Sequence, residues 1–592
     1  MNFLPVKVRL PLAIRLASGI LGLALAFAGA SCSGHAGERV GADIPWTTYE
    51  AEAMKTNGTV LGPKYAAHLV ETESSGQMCV KLTEVGAYVE FVAEAEANAL
   101  VVRYSLPDSA KGGGVESSLA LLINGKEART LAISSHYSRL YGNYPFTNNP
   151  ADGKDRNFYD EIRVKDLQIA KGDVIRLQKN TADGYYCIVD LVDLEKVPAA
   201  LAAPADALSV LDFGAGGKGV TDDTKALKDC LAEAIKQGRT VWVPAGEYKL
   251  TGDIVLPSSA SIQGAGMWHT TFVGDPALYG QPDRRVRFRL QGNGIRLSDF
   301  AILGKLDHRL DKEDNDGVLG AGCADCTMSR LWIEHTKVGI WIYSGANLRI
   351  EGCRFRDLLA DGVNLCTETS GSVVENCSDR GSGDDCFAIW PAAFEQGHLP
   401  NRPPAGNNVI RRCTGQLPFL ANGGAIYGGA NNRIEDCLFT DISTGCGILI
   451  STTFETADAQ RRVDNNFSGT TVVQNCRLVR CGGYDHARGW RAAFQVCLDR
   501  RSISGLKVSQ VEIRDSISDG ISVVAPGRAK GEGTLSDAVL EDVTVAGVGL
   551  GTPGRHSLWI REDVAGGLTL IRTQLAGVHN ESGSFKISPQ PE

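Results

Sequence analysis

Several features are scarce or missing in this sequence, and each absence excludes something. Aromatic residues make up only 7% of the chain, too few for helical bundles packed on large rings. No run of Lys and Arg is long enough to track a phosphate backbone, and 60 basic against 69 acidic residues leave a net charge of -9. No nucleic-acid partner is therefore expected, and a strongly anionic polymer is disfavoured. Beyond the first thirty residues no apolar segment is long enough to cross a bilayer, so no transmembrane span is expected. Cys323 and Cys326 form a lone CxxC with no second pair in metal-site spacing, a weak metal signal, and they read as core. Glycine, in contrast, is abundant at 68 residues, which suits many short strands and tight turns. A length of 592 residues exceeds one compact core and predicts two or three folding units, at least one of them repetitive.

The chain opens with Lys7, Arg9 and Arg15, an apolar run from Ala17 to Phe27, and small residues at Ala28, Gly29 and Ala30. This order predicts a signal peptide over residues 1–30 and a short linker over 31–44, hence a protein that is exported: secreted, or held at the cell surface or in the periplasm. Cys32 resembles a lipoprotein cleavage site, except that Gly29 stands where Leu is usual. Simple secretion is the first expectation and a lipid anchor at Cys32 the second.

Residues 198–208, PAALAAPADAL, are Ala- and Pro-rich without strand pattern and read as a linker. Before it, over 45–197, short alternating runs such as Tyr88 to Phe91, Leu100 to Tyr104 and Leu119 to Ile123 predict an antiparallel β-sandwich of jelly-roll type. After it, over 209–582, the first element is a helix that Thr221 can cap, with Ala226, Leu227, Cys230, Leu231 and Ile235 on its apolar face and Gly238 at its end. A repeat follows: LRIEGCRF from Leu348, VVENC from Val373, VIRRC from Val409, RIEDCLF from Arg433 and VVQNCRL from Val472. Cys353 and Cys377 are 24 residues apart, as are Cys413 and Cys437, and the spacings of 36 and 39 mark coils with insertions. A second strand recurs in each coil, at Gly339, Gly362, Cys386, Gly424 and Gly447. A period in the twenties with small apolar residues at fixed phase predicts a parallel β-helix, its cysteines a buried stack of free thiols. The insertions 391–408 and 453–465 both leave just after that second strand, which predicts one shared corner and the binding side.

Asp361 lies eight residues after Cys353, and Asp385 eight after Cys377, so they occupy equivalent corners of adjacent coils. Coils stack about 4.8 Å apart, close enough for two carboxylates to repel and for one to hold its proton. Asp384 would point the other way on a regular strand, but Gly381, Ser382 and Gly383 permit a turn or bulge that aims both aspartates into one cleft. Singly, an Asp before Gly is ordinary turn chemistry; the equivalent placement lifts these above it. Three acids over two coils can supply the acid and base of glycoside hydrolysis.

At these residues the sequence resembles a known family. ADGVNLC from Ala360 and SGDDCFAIW from Ser382 are similar to the catalytic strands of glycoside hydrolase family 87, the α-1,3-glucanases and mycodextranases. That resemblance implies an all-β chain on a right-handed, pectate-lyase-like β-helix, inverting and endo-acting on α-1,3-glucan or mixed α-1,3/α-1,4-glucan, with no catalytic cofactor. It implies Asp384 as general acid, with Asp361 and Asp385 holding the attacking water. LDFGAGGKGVTDDT from Leu211 resembles the opening of pectate-lyase-like β-helices in general. Polygalacturonases share the DG and GDDC elements, but this chain has Leu359 and Ala360 where they have Asn and Thr, lacks their GHG, and has Glu435 where an RIK motif would bind uronate.

The N-terminal region resembles carbohydrate-binding modules of the family 6 and 35 group, from YEAEA at Tyr49 to IVDLVDLE at Ile188. Such modules usually carry a structural calcium, here placed on Glu50, Glu52 and Asp190, the last sharing a face with Ile188, Val192 and Leu194. Trp390 and Tyr427 in the catalytic region, and Tyr141 and Tyr144 in the module, are the candidates for stacking on sugar. The expectation is a monomer acting on polysaccharide. Its rivals are a polygalacturonase- or dextranase-like hydrolase on the same fold and a non-catalytic surface polysaccharide-binding protein.

Overall fold

The computed structural model describes residues 40–281, 284–312, 316–399, 402–486, 489–527 and 533–589. The export segment 1–30, Cys32 and most of the 31–44 stretch lie outside the described residues.

Residues 46–195 form two antiparallel sheets. In the six-stranded sheet Cys187–Glu195 pairs with Ala99–Ser105 on one side and Cys79–Leu82 on the other. In the five-stranded sheet Val174–Gln178 lies between Tyr88–Val92 and Glu116–Ile123. Alternation along these strands sends Leu100, Val102 and Tyr104 from the first sheet, and Leu119, Leu121, Ile175 and Leu177 from the second, into one apolar core. The stretch 196–207 carries no strand and lies on the second lobe, the Leu201 N–H donating to Ala265 O at 2.9 Å.

The one α-helix among the described residues, Thr224–Gln237, differs from expectation at its start. Thr221 belongs to the strand Lys218–Asp222, and Asp222 Oδ1 accepts the Thr224 N–H at 3.0 Å in its place. Asp223 caps nothing because its carboxylate accepts the Gly216 and Gly217 N–H groups. Gly238, with φ of +63°, ends the helix as expected. Ile235 falls off the buried face and is 38% exposed.

Beyond the helix, most coils contribute three short strands. In the coil of Cys353 these are Arg349–Glu351, Arg354–Arg356 and Val363–Cys366; the first two belong to a parallel sheet of 25 strands and the third to one of 12. Ile350, Val374, Ile410, Ile434 and Val473 stand in register, and three residues further on stand the five repeat cysteines. The residue before each cysteine turns a left-handed corner: Gly352, Asn376, Arg412, Asp436 and Asn475 have φ between +48° and +63°. Gly, Asn and Asp tolerate that region best, which is why they recur there. All fifteen described cysteines are buried free thiols. The second strands also align, Ile340 with Val363, Phe387, Gly424 and Ile448. This is a parallel β-helix.

The lobes belong to one compact unit and meet through buried ion pairs. Arg354 makes a two-pronged pair with Glu195 at 2.7 and 2.8 Å, and Arg380 bridges Glu161 and Asp193 of the six-stranded sheet. The two insertions share a corner: the Ala393 N–H donates to Glu455 O, and Arg461 Nη1 to Ala393 O.

Candidate active site

Asp361, Asp385 and Asn422 occupy the same corner of three successive coils, since the Gly362 N–H donates to Asp385 O and the Cys386 N–H to Asn422 O. Asp384 joins them through the turn before it. Gly381 adopts φ of +82°, and a Cβ on Gly383 would sit 2.3 Å from Leu359 O, so only glycine fits that approach. All three aspartates line one cleft of about 730 Å³. Trp341, Trp390 and Tyr427 from the β-helix, Phe394 and Phe454 from the two insertions, and Tyr144 from the sandwich lobe line it too.

The three carboxylates have different surroundings. Asp385 is 3% exposed; its Oδ1 accepts from the Asn422 N–H at 3.1 Å and Asn422 Nδ2 at 2.7 Å, and its Oδ2 from the Tyr427 hydroxyl at 2.8 Å. Burial, then repulsion by Asp384, pushes it up to about 7 against those hydrogen bonds. Asp361 has the Asn364 amide at 3.3 Å, and burial followed by repulsion from Asp384 and Asp385 pushes it well above the carboxylate range. Asp384, with its side chain 28% exposed, takes a hydrogen bond from Arg309 Nη1 at 2.9 Å. The same guanidinium donates to Asp311 Oδ1 at 2.6 Å and to the Tyr144 hydroxyl at 3.0 Å. The cleft thus joins two buried carboxylates that retain protons near neutral pH to a more exposed one paired with a cation. Such a set supports acid–base chemistry on a bound polar chain.

Of the aromatic candidates, Trp390 stands edge-on to Trp341, Phe394 and Phe454 at 5.3 to 5.7 Å between ring centres. Tyr427 lines the cleft but is 7% exposed, with its ring edge-on to Phe454, so it serves Asp385 through its hydroxyl instead of offering a stacking face. Tyr144 is 47% exposed and its ring lies over Arg309. Tyr141 does not reach the cleft: it is buried and its hydroxyl donates to Asp108 Oδ2 at 2.7 Å. Sequence reasoning missed Arg309, Trp341, Phe394 and Phe454. The two phenylalanines lie within insertions that the repeat already marked, and Trp341 occupies an outward position of the recurring strand; Arg309 lies in no repeated pattern.

The expected cation set divides. A bulge at Asp190 breaks the strand's alternation, so Ile188 leaves the core that Val192 and Leu194 share, and Asp190 is paired with Arg103 and accepts the Ser75 N–H at 2.9 Å. Glu50 Oε2 and Glu52 Oε2 are buried without hydrogen-bond partners, as is Gln77 Oε1 nearby. Burial first, then repulsion by acidic neighbours that include Asp190, raises Glu50 to about 8; burial raises Glu52 to about 7. Oxygen donors in want of charge compensation fit a hard cation.

Two family models match the chain: the α-1,3-glucanase catalytic domain D1 over residues 43–197 and catalytic domain D2 over residues 220–551. The chain belongs to the α-1,3-glucanase catalytic-domain family. The first match spans the lobe read from sequence as a carbohydrate-binding module and describes it as part of the catalytic unit, in keeping with Tyr144 in the cleft wall. The crystal structure of the Agl-KA catalytic domain is 25% identical with a TM-score of 0.82, over 93% of this chain and 98% of that one. The catalytic unit of a thermostable family 87 α-1,3-glucanase from Streptomyces thermodiastaticus is 28% identical with a TM-score of 0.78, over 93% and 94%. A mannuronan C5-epimerase of Azotobacter vinelandii is 41% identical over 45% of this chain and 25% of its own length. The chain spans 18% to 28% of the length of the first curated relatives it matches. No described helix of this α-1,3-glucanase relative is long and apolar enough to cross a membrane.

Proposed function

We propose that this chain is an exported, inverting endo-α-1,3-glucanase. The reading rests on one observation: two adjacent coils deliver Asp361, Asp384 and Asp385 to a single aromatic-lined cleft in a member of this family. Asp384, the most exposed of the three, takes a proton from its coupled neighbour Asp385 and passes it to the leaving glycosidic oxygen; the Asp385 carboxylate so formed accepts a proton from the attacking water, which Asp361 helps to hold. Solved family 87 catalytic domains in complex with nigerose or tetrasaccharides each carry alanine in place of one of three aspartates, two of them adjacent and the third 23 residues ahead. The same spacing separates Asp361 from Asp384 and Asp385, which supports the assignment.

A polymer panel tests the substrate. Reducing ends should be released from α-1,3-glucan, as a spread of oligosaccharides, and not from dextran or polygalacturonate; release from polygalacturonate alone would overturn the reading. The basicity of Asp385 gives a second test. With its carboxyl held up to about 7, the base form disappears as pH falls through that value, so kcat/KM should decline on the acid side there. Tyr427→Phe removes a hydrogen bond that favours the charged form, so this limb should move to higher pH and the optimum rate drop by roughly tenfold. A limb that stays in place removes Asp385 from the base role.

Glu50, Glu52 and Gln77 are proposed to hold a structural calcium in the sandwich lobe, with Asp190 outside the set. Chelation should lower the melting temperature, and calcium at a hundredfold over its Kd should restore about 2.7 kcal/mol. Glu52→Gln should abolish that response. A melting temperature indifferent to chelator contradicts the site.

A further inference from the structure

We propose that Asp160, His335 and Asp357 form a binding site for a zinc-class divalent cation that ties the sandwich lobe to the β-helix. One ligand atom from each lies within 4.8 Å of the others, and all three residues are buried. Asp160 opens the strand Asp160–Val164 of the six-stranded sheet, whereas His335 and Asp357 come from the helix side. These two are rungs of one ladder: Glu334 pairs with Arg356 and Arg356 with Arg380, so His335, Asp357 and Gly381 occupy the same corner on successive coils. His335 and Asp357 both adopt left-handed backbone, with φ of +52° and +47°. On the third coil a Cβ at Gly381 would lie 2.8 Å from Asp357 Oδ1, so the glycine keeps the Asp357 carboxylate uncrowded.

The hydrogen bonding leaves two polar atoms of the set without partners. His335 Nε2 stands 2.9 Å from Asp160 Oδ1, which also accepts the Glu161 N–H. Asp357 Oδ2 and His335 Nδ1 are buried with no partner, in residues 5% and 4% exposed. The hydrogen bonds that nearby guanidiniums make go to other groups. Arg356 donates to Phe355 O, Ser378 O and Ser378 Oγ, Arg380 to Glu161 and Asp193, and Arg103 to Glu73 O and Asp190. A buried carboxylate without partner needs a proton or a cation. One imidazole and two carboxylates form a ligand set that zinc accepts, with a fourth donor completing the tetrahedron. Tyr137, stacked on the His335 ring at 4.4 Å, holds the imidazole plane. The site lies apart from the cleft, whose lining includes none of these three residues.

The test is metal uptake. Full-length protein stripped with chelator and dialysed is titrated with zinc chloride, and bound metal is measured by mass spectrometry. One equivalent should bind, with affinity weakened more than about 100-fold in His335→Gln and in Asp357→Asn, beyond the loss typical of an outer-shell change. Crystals of the zinc-loaded wild type supply a readout independent of variant folding: an anomalous peak at the zinc edge among the three side chains. No stoichiometric uptake, uptake unchanged in both variants, calcium in place of zinc among these three side chains, or no such peak would each overturn the proposal.

Discussion

Asp384→Asn should lower kcat on α-1,3-glucan by roughly 10²- to 10⁴-fold, the range that general acid catalysis contributes. The change keeps the side chain's size and its place beside Arg309 but removes the proton that the leaving oxygen requires. Because the residue sits at the cleft surface, its side chain 28% exposed, the fold and polymer binding should be unaffected. An activated substrate isolates the role. From a glycosyl fluoride the fluoride ion departs without protonation as water bonds to C1, so Asp384→Asn should recover turnover on it, whereas Asp385→Asn, lacking the base, should not. Equal loss on both substrates would move the acid role to another member of the trio. Loss of melting temperature would instead point to a structural part for Asp384.

Arg380→Ala should destabilise the protein by about 3–5 kcal/mol, the usual consequence of removing one partner from a buried ionic network. The guanidinium bridges Glu161 and Asp193, and the three side chains are 4%, 1% and 5% exposed. Alanine leaves both carboxylates between the lobes without that cation and opens a gap as well. Arg356 Nε, 3.6 Å from Glu161, compensates only in part. Replacing all three charges with apolar residues of similar volume should cost far less, because it removes the stranded charges too. Denaturant unfolding of both variants checks this, and a loss below about 1 kcal/mol for Arg380→Ala would mean that the lobes are held by their apolar contacts at Val101, Trp268 and Trp332.

The β-helix was legible because its constraint is written locally: a small apolar residue repeated at a fixed phase, with a period in the twenties, predicts a stacked column. Asp361 and Asp385 inherited their positions from that column, and the insertions with Phe394 and Phe454 inherited their side. Arg309 was not legible. It reaches Asp384 from 75 residues upstream and is recognisable only once the coils are stacked. Tyr141 and Tyr144, three residues apart in one turn-rich stretch, could not be told apart, because a hydroxyl contact with Asp108 turns one inward. Asp190 stands beside Glu50 and Glu52, but its bulge takes Ile188 off the face of Val192 and Leu194, which strict alternation cannot foresee. Glu161, Asp193 and Glu195 gave no signal of their part between the lobes, because their arginine partners lie 159 to 219 residues away.

The most direct measurement is the anomeric configuration of the first product. α-1,3-glucan is mixed with enzyme and followed by proton NMR before mutarotation sets in. Water activated by Asp361 and Asp385 across the bond from Asp384 predicts that the β-anomer forms first and the α-anomer grows in later. The α-anomer at the earliest time would mean a covalent intermediate, and would contradict the direct displacement assigned to this cleft.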